Sequence, residues 1–567
     1  MKTIKILSPV KCIDDMDLMA KTGCKSVYAY HSVFLEDKSH DSLKNYINKA
    51  KEHDFEFFVN FKSEIKETEI PHIVDFIEFL TNTAIDGILI NSFDILEIIK
   101  NSKLPFKVLI DSGLNIHNLS GIEFVNNFHL AENINITEEI YLKNLIKIKK
   151  YTKYKLSIDT DNLSWIAKEI KKSKSIDSVI IKGDFESSRE LLQGIQLIEN
   201  ILDNPKVFEN RKLPFKHFEN SHYKSNHFSG EFLSANGKDF KFTDNIQQFK
   251  WKFKKTRLLK KPDPDRVQIP RLNLRLTSLE QLKYLKNYLR YSKFNPVYSI
   301  EYGEILNTAD LSKYSFNAII EKVKKDCLNY GIKLQLSTPK ILIERDFDRV
   351  FEYVKLLCIK EPYPDSIVVN NIGYWWAVIN DSDFNKIPVE LGHGLNLLNS
   401  VSASCLTNQH PVSSIDLSNF ASIHDIKLCV DKIKDKIPTR KLTVAGSVRI
   451  PSSGLCPLNN DSSILSRLSC AAPCHRGNYA ISDPAIGMLF PIAVDGFCRM
   501  HLFKDQVLDI FKHIKLFQNI GINEFIIDFN GLSSELVPVL LNRFLNSLYS
   551  DDYSVDPDFV TNLYGIE

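Results

Sequence analysis

Between Lys441 and Phe503 the chain reads KLTVAGSVRIPSSGLCPL (441–458), SRLSCAAPCHRGNY (466–479) and DPAIGMLFPIAVDGFCRMHLF (483–503). Its opening, Leu442–Ala445, has the pattern of a short buried strand, and everything after it reads as an insertion before the next one. Four of the ten cysteines fall in this stretch, at Cys456, Cys470, Cys474 and Cys498. Thiolates converge for a disulfide, a zinc ion or an iron–sulfur cluster. Nothing at the N-terminus reads as a signal peptide, so an intracellular chain with reduced thiols is expected and paired disulfides are disfavoured. Structural zinc usually shows paired C-x2-C knuckles, whereas here the one tight pair, Cys470 and Cys474, has three residues between its members. Four soft ligands still permit zinc, and a cluster takes four thiolates at irregular spacing. Unconnected buried cysteines are the remaining alternative.

Working outward, the second half of the chain predicts strands at Asn273–Leu276, Tyr298–Tyr302, Lys333–Ser337, Ser366–Asn370, Val389–Gly392, Ser413–Leu417, Leu442–Ala445 and Phe525–Phe529. Amphipathic helical segments separate them, and such alternation implies parallel strands with right-handed crossovers. Eight strands predict a closed (β/α)8 barrel. Spacing is regular until Ala445, after which about eighty residues precede the last strand. The cysteine block therefore follows the seventh strand, and in such barrels the loops at the strand C-termini carry the chemistry.

The first half repeats the rhythm. Strands are expected at Ile4–Pro9, Ser26–Tyr30, Phe55–Asn60, Gly87–Asn91, Phe106–Ser112, Phe128–Glu132, Lys155–Asp159 and Ser178–Lys182, with helices such as Asp41–His53 and Ile70–Leu80. The expected fold class is α/β: two (β/α)8 TIM-barrel-like domains with a small β-rich insert between them. The divisions are 1–204, a barrel without the cysteine block; 205–268, the β-rich or linker region; and 269–567, a barrel carrying the insertion at 446–503. In the last two strand–helix–strand units the two halves echo each other, as a duplication would.

The middle region, rich in His, Ser, Asn and Gly, ends in FKWKFKKTRLLKK (249–261) and two prolines. Phe249–Lys261 has the cations to meet phosphates and Trp251 to stack on bases; a solvated, lysine-rich strand edge is the plainer reading. A net charge of +2 supplies no global field for nucleic acid, so any such surface must be local. With 44% hydrophobic and 25% charged residues the composition is globular. No apolar run reaches the roughly eighteen residues of a membrane span. A cytoplasmic protein with no membrane partner is expected.

The order Gly446, Cys456-Pro457-Leu458, Cys470, Cys474, Asp483, Phe490-Pro491, Cys498-Arg499 resembles the C-terminal half of the peptidase U32 family. The N-terminal half adds Ser8-Pro9, Thr22–Tyr30 (TGCKSVYAY), Phe58-Val59-Asn60, Asp86-Gly87-Ile88 and Val179–Arg189. The resemblance implies a [4Fe-4S] cluster on Cys456, Cys470, Cys474 and Cys498, and hydroxylation without molecular oxygen. In characterised relatives the targets are ribosomal or transfer RNA bases or a quinone precursor, and prephenate supports the RNA reactions. An RNA base is therefore the expected substrate, with a prephenate-like co-substrate. The alternatives are a small aromatic or quinone-precursor substrate, a non-catalytic iron–sulfur partner of another U32 subunit, or a peptidase. The chain departs from the family in having no cysteine-rich insertion in its first half, so that barrel is expected to be cluster-free. Cys24 is its one recruitable thiol, and a small core residue is the simpler account of it.

Other candidate residues lie near predicted strand ends. Leu391–Ser400 (LGHGLNLLNS) offers His393, Asn396 and Asn399 to orient a polar ligand. Arg449 has the fork to hold a carboxylate or phosphate. Arg499 and His501, and likewise His475 and Arg476, sit beside cysteines, where they serve either a ligand or the cluster sulfurs. The peptidase alternative lacks a G-x-S-x-G elbow and an H-E-x-x-H helix.

Overall fold

The computed structural model describes residues 4–35, 40–136, 154–159, 176–182, 188–203, 246–248, 270–292, 294–361, 363–418, 420–453, 458, 473–475, 479–483 and 488–548. It divides into two compact units, residues 1–233 with 342–347, and residues 234–341 with 348–567. Each is built around a closed barrel of eight parallel strands, the expected fold class.

In the first unit β1 (Lys5–Pro9), β2 (Ser26–Tyr30), β3 (Glu56–Asn60), β4 (Gly87–Ile90), β5 (Lys107–Ile110), β6 (Asn133–Ile136), β7 (Lys155–Asp159) and β8 (Ser178–Ile180) pair in sequence order, and β8 returns to β1. The expected helices are present as Asp41–Glu52 and Ile70–Leu80. The sixth strand is a correction: it lies at Asn133–Ile136, not Phe128–Glu132. Phe128 instead follows the helix Leu119–Asn126 and packs edge-on against Phe124 at 5.3 Å. The barrel is plugged by an apolar layer of Leu7, Tyr28, Phe58, Leu89, Leu109 and Ile180. The one hydroxyl in this plug is satisfied, since Tyr28 Oη donates to the Ile181 carbonyl at 2.9 Å.

The second unit begins, among described residues, with β9 (Ile246–Gln248) and continues through β10 (Arg271–Leu276), β11 (Val297–Tyr302), β12 (Lys333–Ser337), β13 (Ser366–Val369), β14 (Val389–Leu391), β15 (Ser414–Leu417), β16 (Thr439–Ser453), β17 (Tyr479–Asp483), β18 (Met488–Val494), β19 (Met500–Asp509) and β20 (Glu524–Asp528). Strands β10 to β16 and β20 close the barrel, with β16 pairing parallel to β15 and β20. β16 then runs on past the barrel and pairs antiparallel with β19, to which β18, β17 and β9 add in turn. The insertion is therefore an antiparallel sheet grown from the C-terminal end of a barrel strand. Gly446 is where the strand leaves the barrel: its φ is +114°, and a Cβ there would collide with the Asp528 backbone. The Phe249–Lys261 run lies outside the described residues.

The interior of this barrel is ionic. In its lower layer Lys441 is held by Glu390 and lies 3.7 Å from Glu524, whose carboxylate also accepts from Asn273 Nδ2 at 2.8 Å. Glu390 accepts in addition from Gln335 Nε2 at 2.9 Å and Ser414 Oγ at 2.6 Å. In the layer above, Arg275 meets Asp416 at 2.8 Å, Asp528 at 2.9 Å and Glu301 at 3.0 Å. Buried ions need partners for nearly every polar atom, because each uncompensated one costs several kcal/mol. Among described residues no helix is long and apolar enough to cross a membrane.

Candidate functional site

The ionic layers lead upward to a cluster at the C-terminal mouth of the second barrel. Glu304 follows β11, His393 sits on the tight turn after β14, and Arg449 lies on β16 just past the barrel rim. Arg449 grips Glu304 with both terminal nitrogens, the Nη2–Oε2 contact being 3.1 Å, and stacks over Phe503 at 5.9 Å. His393 Nε2 lies 3.4 Å from Glu304 Oε1. Both His393 ring nitrogens are buried, and among the described residues neither makes a hydrogen bond of good geometry. Asn370 at the end of β13 fixes the turn: its Oδ1 accepts from Gly394 N at 3.0 Å, while its Nδ2 donates to Ser337 Oγ at 3.0 Å. Ser337 in turn donates to Glu301 at 2.8 Å, so the turn carrying His393 is wired to the Arg275 layer.

Glu301, Glu304 and His393 each offer a ligand atom within 4.8 Å of the others. Burial pushes the Glu304 carboxyl up, but Arg449 and His393 outweigh it and hold the group well below the ordinary carboxylate range. Asp416 goes the other way, because burial there exceeds the attraction of Arg275 and raises its carboxyl. Two buried acids with opposite shifts beside one imidazole are the arrangement from which proton transfer is built.

The residues expected from sequence are distributed unevenly over this site. His393 is in it. Arg449 is also there, but its fork is occupied by Glu304, so it is not open to an external anion. Asn396 adopts a left-handed conformation at φ +49° and accepts from Ser418 Oγ at 3.0 Å. Asn399 is the N-cap of the helix Ser400–Thr407, accepting from Ser402 N at 2.8 Å, which is a structural duty. Glu301, Glu304, Asn370, Asp416, Asp528 and Asp495 were not singled out from sequence.

Of the four block cysteines, Cys456 and Cys470 lie outside the described residues, as does Arg476. Cys474 and Cys498 are half-buried, and His475 is exposed beside Cys474. Cys498 sits in the turn joining β18 to β19 with φ +60°, a conformation rare for a residue with a side chain. The turn is closed by Cys498 N donating to Asp495 O at 2.9 Å and Asp495 N donating to Arg499 O at 3.0 Å. The Asp495 carboxylate accepts from Arg499 Nε at 2.9 Å and lies 3.2 Å from His501 Nε2. Burial works against its charge, yet Arg499 and His501 bring the Asp495 carboxyl down to about 2.

Both cysteine-bearing turns dock on one short helix, Thr308–Leu311, which follows β11. Thr308 Oγ1 lies 3.5 Å from the Cys474 carbonyl, and Gly496 lies so close to Leu311 that a Cβ would collide with its side chain. Four helical residues rise only about 5 Å, so the two turns meet at one place on the barrel rim.

The mouth of the first barrel is organised differently. Lys182 reaches Asp111 at 2.7 Å, and Asp111 also accepts from Asn135 Nδ2 at 2.7 Å. Cys24 is fully buried, and burial pushes its thiol up to about 11, which suits a core residue better than a ligand. His31 is buried and stacked on Phe61; burial, aided by Lys62, brings its pKa down to about 4. An unfolded histidine takes up a proton below about pH 6.5, whereas this one resists until about pH 4. Stability is therefore expected to fall as pH drops through that window, by about 3 kcal/mol in full. Urea unfolding at stepped pH checks this, with His31→Phe expected to remove most of that slope.

The fold and the site define a tandem (β/α)8-barrel protein whose second barrel carries a charged mouth beneath a cysteine-bearing sheet. The model of peptidase family U32 matches residues 31–161, inside the first barrel. Among solved structures it is similar to thiamine phosphate pyrophosphorylase from Pyrococcus furiosus, at 13% identity and a TM-score of 0.27, over 36% of this chain and 96% of that one. It is also similar to the U32 peptidase Mk0906, at 8% identity and a TM-score of 0.26, over 32% and 93% respectively. A third is type I 3-dehydroquinate dehydratase from Clostridium difficile, at 12% identity and a TM-score of 0.27, over 35% and 94%. No curated protein matches the chain.

Proposed function

We propose that this chain is an enzyme that hydroxylates a substrate without molecular oxygen, using a [4Fe-4S] cluster that Cys456, Cys470, Cys474 and Cys498 would hold and a prephenate-like, oxygen-bearing co-substrate as the source of the oxygen atom and the oxidising equivalents, and that the substrate is an RNA base. The observation that carries the reading is the convergence of the Cys474 and Cys498 turns on the helix Thr308–Leu311, at the rim above Glu304, His393 and Arg449. These two thiols fit such a group: they are soft, half-buried donors on turns. When bound, the cluster supplies electron transfer or, if one iron is open, a place for an oxygen donor.

The chain's own residues do the rest. Arg449 and the Arg275 layer keep Glu304 and Glu301 ionised in a buried site. His393, fixed by the Asn370-bound turn and facing the ionised Glu304, is placed to take or give a proton at a ligand in the mouth. A peptidase reading finds no support here, because the thiols are assigned to the cluster and no described serine is paired with His393.

The test compares nucleosides from total RNA of cells with and without the gene, grown without oxygen, by mass spectrometry. A nucleoside heavier by one oxygen atom is expected to vanish in the deletion. If RNA is unchanged and a small aromatic metabolite loses its hydroxyl instead, the substrate assignment is wrong; if neither changes, the hydroxylase reading fails.

A further inference from the structure

The described buried arginines differ in one respect. Arg275 spends its terminal nitrogens on three carboxylates, Arg449 spends both on Glu304, and Arg440 directs Nη1 at backbone carbonyls, the Ile437 oxygen at 2.7 Å among them. Arg499 is 2% exposed, and among the described residues neither Nη1 nor Nη2 has a hydrogen-bond partner. Its position is nevertheless firmly set. Its Nε donates to Asp495 Oδ2, and its guanidinium lies over the Phe497 ring at 4.4 Å. One edge and one face are thus occupied, and the Nη1–Nη2 edge is left.

A buried donor without an acceptor costs about 1–3 kcal/mol, more when it is charged, and a terminal edge carries four such hydrogens. Folding retains this cost where a ligand later removes it. The Nη1–Nη2 edge matches two oxygens of a carboxylate or phosphate in a bidentate fork. A bare cation or an apolar group offers it nothing. The place is also informative: Arg499 is adjacent in sequence to Cys498, on the turn that docks at the rim of the second barrel.

We infer that Arg499 anchors a small oxyanion, a carboxylate or phosphate group of a substrate or co-substrate, beside the thiol-bearing turns. Asp495 and Phe497 are its positioning residues: Asp495 holds the Nε edge, and Phe497 supports the plane. The inference deepens the proposed function by naming a ligand group for the same site, yet the fork needs no cluster in order to bind an anion.

The full-length protein, purified without oxygen, is titrated calorimetrically with inorganic phosphate and separately with malonate, and iron content and visible spectrum are recorded on the same samples. One saturable anion per chain is expected. Arg499→Gln should weaken it about 10- to 100-fold, as loss of a charged hydrogen-bonding fork does, and Arg499→Lys should weaken it less. Circular dichroism confirms that the variants fold; where Arg499→Gln does not, Arg499→Lys and Phe497→Leu, which loosens the plane, carry the comparison. Absence of saturable binding by the parent, or binding indifferent to these substitutions, overturns the inference. So does a variant whose visible spectrum or reduction potential shifts while its anion affinity does not, since the donors would then serve cluster sulfurs. Anion binding that persists in protein without iron upholds the anchor while counting against the cluster.

Discussion

Replacing Arg275 by methionine is expected to destabilise the second barrel by roughly 3–5 kcal/mol at neutral pH, the usual cost of stripping one partner from a buried ionic group. The side chain is 3% exposed and pairs with Glu301, Asp416 and Asp528 at once. Methionine fills similar volume, so the loss reports charge and not a cavity. The pH dependence separates the two further. In the parent, Arg275 and His393 overcome the effect of burial and hold Glu301 below its ordinary range, and Arg449 does the same for Glu304. Carboxylates shifted down stabilise the fold above their unfolded pKa and lose that contribution as pH falls below about 4. A carboxylate stranded without Arg275 has its folded pKa raised, so the deficit is fully developed at neutral pH and shrinks on acidification toward about pH 4. Denaturant unfolding of both proteins at stepped pH is the check. Equal stability at neutral pH, or a loss that does not change with pH, would show that the ion layer does not hold the barrel.

The second large effect concerns metal. Cys474→Ala and Cys498→Ala are each expected to bring bound iron below about one-tenth of the parent level and to abolish hydroxylation, because a cluster held by three thiolates and no replacement ligand is readily lost. Neither residue belongs to a barrel core, so circular dichroism should be nearly unchanged. Cys358→Ala is the matched control. Burial pushes that thiol up to about 12, which keeps it protonated and unsuited to metal. Full iron in either test variant would remove that residue from the ligand set.

The strands were legible because short apolar runs recurring at regular spacing, with amphipathic segments between them, suit little besides the buried strands of a parallel sheet. The displaced sixth strand shows the limit. Phe128 and Leu130 look more strand-like than Asn133–Ile136, yet the alternation Asn-Ile-Asn-Ile suits a barrel strand with polar groups inside. That same alternation held the signal for the unanticipated residues. Asn273 and Arg275, Ser299 and Glu301, Gln335 and Ser337, and Ser414 and Asp416 are each two apart in a strand. Period-2 polarity ordinarily marks a face turned to solvent. In a closed barrel jacketed by helices that face points inward, which only the topology reveals.

Position after a strand was a partial guide to the site. His393 and Asn399 lie six residues apart in the same segment, and one faces the ionic cluster while the other caps a helix. Local sequence does not say which way a loop side chain turns. Nor did it show that β16 continues to Ser453, since that extension is stabilised by β19, some fifty residues later. The concentration of cysteines could be read from the sequence, whereas the docking of the Cys474 and Cys498 turns on Thr308–Leu311 depends on packing that no spacing encodes.

The central claim is that the four cysteines of residues 441–503 hold one [4Fe-4S] cluster. Iron, zinc and acid-labile sulfide determined on the full-length protein purified without oxygen, together with its visible spectrum, test it most directly. The account predicts brown protein with about four irons and four sulfides per chain, in line with the cluster's stoichiometry. Colourless protein with stoichiometric zinc and no iron would contradict it.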